Sequence, residues 1–362
     1  MEETKKTYKG FKLFILIFAL LAVVFFKEDN QQKFIKFLND LKSKDIDLQL
    51  NKQYKGSNLN YFDETLIKWE DNNLTFLNND GSAKWIKEFD FIEPEIVYSD
   101  KIIYVLDKSL GDIYLLDSNG DTISKIQLKM PIFSIKESNN NLLIHIKDET
   151  TESLKIIYKG ENNLDELIKV NENILTYSLN SDSTKYVYSS LKLTNSDIVS
   201  KMAINSIEGK EEYSVEIHNE IIISTEFIKD KLMILTDSTL NIADNGEIKW
   251  SKEYPLIKDV FISNNEIYLL YGDNIEVIDL DGETKSKTTF GVEYKRIASV
   301  GDFIVLYGNS DLIVLQNANE VLRYKAEEDI IKIVGNNNQI ILQYTDKIQV
   351  LKFIKKASKE AL

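Results

Sequence analysis

Along residues 46–353, apolar and polar side chains alternate with a period of two, in runs of five to eight bounded by Asn, Asp, Gly and Ser. Side chains two apart lie on one face of a strand, so this alternation predicts half-buried β-strands. Pro94, Pro131 and Pro255 fall between the runs, where no ladder hydrogen bond is lost. One stretch shows the pattern clearly: KDVFIS (258–263), EIYLLYG (266–272), NIEVIDL (274–280) and ETKSKTTF (283–290). Before residue 46 the period changes. Phe34, Phe37, Leu38 and Leu41 fall at i, i+3, i+4 and i+7, the stripe of an amphipathic helix. Residues 13–26, LFILIFALLAVVFF, contain no polar side chain at all.

The strand pattern repeats. Aligned on the turn after the third run, the chain reads LNNDG (Gly81), LDSNG (Gly120), IYKG (Gly160), SIEG (Gly209), ADNG (Gly246), DLDG (Gly282) and NANE (Glu320). The intervals are 39, 40, 49, 37, 36 and 38 residues, with the long one carrying an insertion around KLTNSD (192–197). A period near 40 with four short strands per unit predicts an all-β fold, a β-propeller of four-stranded blades. Seven complete units run from about 59 to 328, followed by three more strands, IIKIVG (330–335), QIILQYT (339–345) and KIQVLKF (347–353). IDLQLN (46–51) supplies a fourth, so that the two ends of the domain share one blade and no sheet edge is left open. Eight blades are expected; seven with a spare sheet edge is the alternative.

Charge and composition narrow the partners. Acidic residues number 58 against 44 basic, a net charge of −14, which repels a phosphate backbone and excludes nucleic acid as a partner. There is no cysteine, which removes disulfides, thiolate metal sites and a cysteine nucleophile together. Arg296 and Arg323 are the only arginines, too few for a carboxylate-clamping cluster.

The N-terminal segment reads as a membrane anchor. Lys5, Lys6, Lys9 and Lys12 precede the apolar run, and Lys12 and Lys27 can snorkel at its two ends to stretch a short span. A cleavable signal peptide needs small residues after the run, whereas this one ends Val-Val-Phe-Phe-Lys. The leading lysines place the N-terminus in the cytoplasm and the remainder outside. The expected organisation is a cytoplasmic head (1–12), a transmembrane anchor (13–27), a helical linker or stalk (28–45), the propeller (46–353) and a C-terminal tail (354–362).

Candidate chemistry is sparse. Trp85 and Trp250 stand four residues after a turn glycine, in DGSAKW and NGEIKW, and by the same count Tyr213 and Tyr324 hold that place in two other units. A large ring there is expected to pack over the neighbouring blade. This resembles the tryptophan docking motif of pyrroloquinoline-quinone-type propeller repeats. Quinoprotein enzymes also carry adjacent cysteines beside the cofactor; their absence here argues against a quinone, and no cofactor is expected. His145 and His218 lie in different units, and no nucleophile-elbow signature accompanies either. The turns DSNGD and DLDGE are weak candidates for calcium, through Asp117, Asn119 and Asp121 or through Asp279, Asp281 and Glu283. Tight hairpins use the same residues for their backbone geometry, and plain turns are the preferred reading.

The order of parts, a Lys-rich head, one short span, a brief linker and an Ile/Asn/Lys-rich propeller, resembles a family of single-pass membrane proteins of low-GC Gram-positive bacteria, domain of unknown function 5711. The family implies no activity. The expectation is a non-enzymatic, membrane-tethered extracytoplasmic scaffold that binds a protein of the cell envelope. A glycan- or ligand-binding module of the cell wall, with or without calcium, is the alternative.

Overall fold

The computed structural model describes residues 46–355 apart from 57, 63–64, 79–80, 100, 159–162 and 194–196. The expected anchor, linker and cytoplasmic head lie outside the described residues, and among those described no helix is long and apolar enough to cross a membrane. The described residues form eight four-stranded antiparallel sheets. Seven are consecutive: blade 1 spans 59–88, blade 2 94–127, blade 3 134–170, blade 4 173–218, blade 5 222–253, blade 6 257–289 and blade 7 296–325. In each, the strands run a to d from the inner edge outward in chain order. The strands Ile257–Ser263, Glu266–Tyr271, Asn274–Asp279 and Thr284–Thr289 match the alternation read from sequence almost residue for residue.

Blade 8 joins the two ends. Lys332–Gly335, Gln339–Gln343 and Lys347–Lys355 are its inner three strands, and Ile46–Lys55 is its outer one. The pairing runs from Ile46 opposite Lys355 to Lys55 opposite Lys347, with a register shift between Leu50 and Lys52. Eight blades are therefore present, and the third strand of blade 8 runs two residues beyond the expected limit at 353. Blade 8 is tied to blade 1 by Gln343, whose Nε2 donates to the Leu59 carbonyl at 2.5 Å, and by Tyr61 Oη donating to Gln339 Oε1 at 3.1 Å.

The core follows from the alternation. The middle strands are buried on both faces and the outer strands on one, and each blade presses a face against either neighbour. Eight hydrophobic clusters result among the described residues, each drawn from two adjacent blades. Leu59, Leu77, Ile341, Ile348 and Val350 fill the seam between blades 8 and 1. Each such side chain contributes about 1.5–3 kcal/mol by leaving water. The ring thus has no interface weaker in kind than the others. In blade 4 the insertion lengthens the second and third strands to nine residues each, Lys185–Leu193 and Ile198–Ser206, and leaves the sheet order intact.

Antiparallel order gives the propeller two unlike faces. The a–b and c–d turns lie on one. The b–c turns and the loops that carry each blade into the next lie on the other. Ile46 starts opposite Lys355, the end of a third strand, so the chain enters the propeller on the face of the a–b and c–d turns.

Candidate functional site

The c–d turns and the aromatic residues beyond them lie where blades touch. Trp85 of blade 1 covers the turn of blade 2, so that a Cβ on Gly120 would stand 3.0 Å from its indole. Tyr213 of blade 4 covers Gly246 of blade 5 at 2.5 Å, and Trp250 of blade 5 covers Gly282 of blade 6 at 3.1 Å. Trp250 Nε1 also donates to the Leu280 carbonyl at 3.1 Å. Trp85 stacks on Phe76 with ring centroids 4.2 Å apart, and its Nε1 has no partner. A bulge in each outer strand aims these rings: the register slips just after the turn, between Phe76 and Leu77 in blade 1 and between Ile242 and Ala243 in blade 5. In blade 7 the turn is Asn317-Ala318, both at positive φ. Leu322, opposite Val314, therefore holds the place of Trp85, and Tyr324 lies two residues further, opposite Leu312, against the cluster shared by blades 7 and 8. Counting from Glu320 misplaces the turn, because no glycine marks it.

The two aspartate turns are copies of one structure. Asp117 Oδ1 accepts from the amides of Asn119 and Asp121 at 2.8 and 2.9 Å, and Asp279 Oδ1 from those of Asp281 and Glu283 at 3.0 and 2.8 Å. Lys285, 2.7 Å from Asp279, is the main force holding that carboxyl below the ordinary carboxylate range. Asp281 reaches away to Lys231 at 2.8 Å. Each lead aspartate thus commits its Oδ1 to its own turn, and Asp279 commits its Oδ2 to Lys285. No three His, Asp or Glu side chains among the described residues gather closely enough to hold a cation.

The two histidines do not meet. His218 is exposed and bonded to Asp197 at 2.7 Å, which raises its pKa. His145 is buried within a polar chain between blades 3 and 4. Its Nε2 lies 2.9 Å from Glu152 Oε2 and its Nδ1 3.3 Å from Ser134 Oγ, which in turn lies 3.0 Å from Tyr177 Oη. Burial lowers the His145 pKa against the pull of Glu152. Burial also opposes ionisation of Glu152, but hydrogen bonds from Lys147, the Ile174 amide and His145 outweigh it and keep the carboxyl below its usual range. A neutral imidazole donating from Nε2 to Glu152 and accepting at Nδ1 satisfies every member. Burial pushes Tyr177 up to about 12, so it remains a donor to Ser134.

Polar groups from inner strands bridge blades near the axis. Lys136 of blade 3 reaches past blade 4 to Glu226 of blade 5 at 2.6 Å. Thr176 Oγ1 accepts from the Thr225 amide at 3.3 Å, and Asp259 Oδ2 from the Ile297 amide at 2.8 Å. Burial raises the Asp259 pKa, although both backbone amides and Arg296 pull the other way. Lys332 keeps contact with solvent, yet the surrounding protein lowers its pKa by desolvation. Period-two reading cannot find these residues, since charged side chains are also common at solvent-facing strand positions.

The face of the b–c turns and inter-blade loops is unusual in a different way. Fourteen large apolar side chains are exposed among the described residues, and nine stand on this face or at the strand ends that border it. Ile92, Met130, Phe133, Leu256 and Ile331 occupy inter-blade loops; Leu110 is in a b–c turn and Leu193, 70% exposed, ends a second strand. The remaining two of the nine, Leu175 and Ile223, are extruded by backbone bulges. Inner strands of three consecutive blades slip register at the same place, around Leu175, Ile223 and Lys258. A bulge turns one side chain out of the ladder, which here exposes Leu175 and Ile223 near the mouth of the ring. Their signal was visible: Ile174-Leu175 and Ile221-Ile222-Ile223 break the alternation. The other five exposed apolar residues are on outer strands or, for Ile354, near the end of a third strand, and none lies in a described a–b or c–d turn.

Comparison with solved structures confirms the architecture. The chain is similar to the crystal structure of BamB from Moraxella catarrhalis, at 10% identity and a TM-score of 0.58 over 84% of this chain and 100% of that one. It is similar also to the C-terminal WD40 domain of Sif2, at 13% identity and a TM-score of 0.63 over 84% and 98%. A third is Chaetomium thermophilum Sqt1 bound to the N-terminus of the ribosomal protein L10, at 9% identity and a TM-score of 0.54 over 83% and 93%. At such identities the likeness is one of fold. No curated protein sequence is significantly similar to the chain. A family model does match, over residues 41–353, nearly the whole propeller: the chain belongs to the family of unknown function DUF5711.

Proposed function

We propose that this protein is a membrane-tethered, extracytoplasmic β-propeller that works as a protein-interaction scaffold of the cell envelope, by binding rather than catalysis. The observation that carries this reading is the concentration of exposed apolar side chains on one face of an otherwise well-sealed ring. Scattered apolar residues are ordinary on a protein surface, whereas a collection on one face marks an interaction site. Sqt1, a propeller of similar fold, is bound to a protein segment in its crystal structure. The Ser134–His145–Glu152 array supports binding over catalysis, because His145 and Glu152 are buried between blades and the half-buried Ser134 hydroxyl is already engaged by Tyr177. The lysine-flanked apolar run at 13–26 supports the tether.

The chain has no cysteine, so single cysteines report its position cleanly. Asn264→Cys in intact cells should react with a membrane-impermeant maleimide, and protection until lysis would overturn the extracytoplasmic placement. In-cell crosslinking of the full chain should recover one defined envelope protein, and repeated recovery of none would overturn the scaffold.

A second reading has its own support. A crevice of about 610 Å³ between blades 8 and 1 is lined by Asn51, Asn78, Asn336, Asn338, Gln339 and Tyr61, among others. Amides and a phenol suit the hydroxyls of a sugar. A shift in Tm of the full chain with soluble wall fragments, lost in Asn338→Ala, would favour this glycan site; no shift would dismiss it.

A further inference from the structure

We infer that the face of the b–c turns and inter-blade loops points away from the membrane and docks a basic, apolar segment of its partner protein; this rests on the scaffold reading. Topology orients it. The chain enters at Ile46 on the opposite face, and only residues 28–45 separate that point from the expected anchor. The a–b and c–d turns are thereby held toward the bilayer, and the apolar rim faces outward.

Charge selects the occupant. The described b–c turns and inter-blade loops hold fifteen acidic side chains and three lysines. Lys258 and Lys347, rising from strand ends, pair with Glu293 and with Glu328 at 3.0 and 2.5 Å and leave most of that charge uncompensated. The exposed acids Asp90, Glu172 and Asp329 share loops or strand junctions with Ile92, Leu175 and Ile331. Such a surface repels the headgroups of an anionic bilayer and attracts Lys and Arg. The apolar side chains between the acids then require apolar side chains in the partner. The bulges that extrude Leu175 and Ile223 give up regular pairing at two blades in succession, and burial against a partner recovers that cost.

The test places a photoreactive benzoyl-phenylalanine in the full chain, in its own membrane, at Leu256 or Ile331 on the rim and at Asn264 or Asn317 on the opposite face. The rim positions should capture one protein, through a peptide in which Lys or Arg flanks apolar residues, and Asn264 and Asn317 should not. Combining Asp90→Lys, Glu172→Lys and Asp329→Lys, all exposed, should cut rim capture at least fivefold while Tm stays within about 2 °C of the parent, as surface substitutions do. Capture only at Asn264 and Asn317 would overturn this inference and leave the scaffold standing. Rim adducts with phospholipid, a captured acidic segment, or capture indifferent to the three lysines would overturn it equally. Capture from neither face would end both proposals.

Discussion

Four turn glycines offer an internal measurement of how firmly blades are locked. Gly209, Gly120, Gly246 and Gly282 have nearly the same backbone, with φ of +84°, +82°, +83° and +85°. Substitution by alanine therefore brings the same left-handed strain at each, about 1 kcal/mol. Their surroundings differ. A Cβ on Gly209 would find its nearest neighbour, the Leu167 carbonyl, at an ordinary 3.9 Å. On Gly120 and Gly282 it would press on Trp85 and Trp250 at 3.0 and 3.1 Å, and on Gly246 it would run into the Tyr213 ring at 2.5 Å. Overpacking of this kind adds about 1–3 kcal/mol. The expected order of loss is Gly209→Ala smallest at about 1 kcal/mol, Gly120→Ala and Gly282→Ala intermediate, and Gly246→Ala largest at about 2–4 kcal/mol. Urea unfolding of the full chain in mild detergent, followed by circular dichroism, reads the order from the midpoints. In a Tyr213→Ala background the excess at Gly246 should vanish, because the obstructing ring is gone. Equal losses at all four glycines, or an undiminished excess without Tyr213, would refute the idea that rings from one blade clamp the turns of the next.

Other outcomes follow from particular bonds. Trp85→Phe and Trp250→Phe should both lose ring packing over the neighbouring turn, and Trp250→Phe should cost about 1 kcal/mol more in the same urea assay, because it also removes the bond to the Leu280 carbonyl whereas Trp85 Nε1 has no partner. His145 has a pKa lowered in the fold, so the unfolded chain binds its proton more readily and stability falls as pH drops below about 6.5. His218 has a raised pKa and contributes in the opposite sense, its stabilisation present at acid pH and lost as pH rises through the folded value. Thermal midpoints between pH 5 and 8 should therefore flatten at the acid end for His145→Gln and fall slightly there for His218→Gln; like-signed changes would contradict both assignments. Deleting residues 46–55 should open the Lys347–Lys355 edge of blade 8, lower the Tm and produce oligomers by size exclusion, and a monomer of unchanged Tm would show that the outer strand does not close the ring.

The repeat was legible because a blade is a local object. Each strand pairs with its neighbour in sequence, so four alternating runs and a turn glycine recur at one spacing and announce the fold without any long-range information. The closing strand was legible for a related reason: three runs at the end and one at the start make up one blade. Trp85, Tyr213 and Trp250 stand where a glycine marks the turn, and in blade 7, where Asn317-Ala318 replaces it, Tyr324 lies two residues beyond that place and packs in the cluster shared with blade 8. The rim was not legible as a surface. Ile92, Phe133, Leu256 and Ile331 look in sequence like any apolar residue beside a strand, and the consecutive isoleucines at 221–223 register as an irregularity without a direction.

What the sequence determined by itself is the set of relations that act between near neighbours: strand period, turn chemistry, the repeat, the complementary ends and the overall acidity. Tertiary structure alone decided which face each loop occupies. Closing the ring brings together loops some 35–50 residues apart in sequence, and it sets Ile46 on one side and the exposed apolar rim on the other. It also built the His145 chain and the Lys136–Glu226 bridge, whose members come from different strands or blades. Spacing along the chain cannot encode these, because their geometry exists only once every blade has packed against the next.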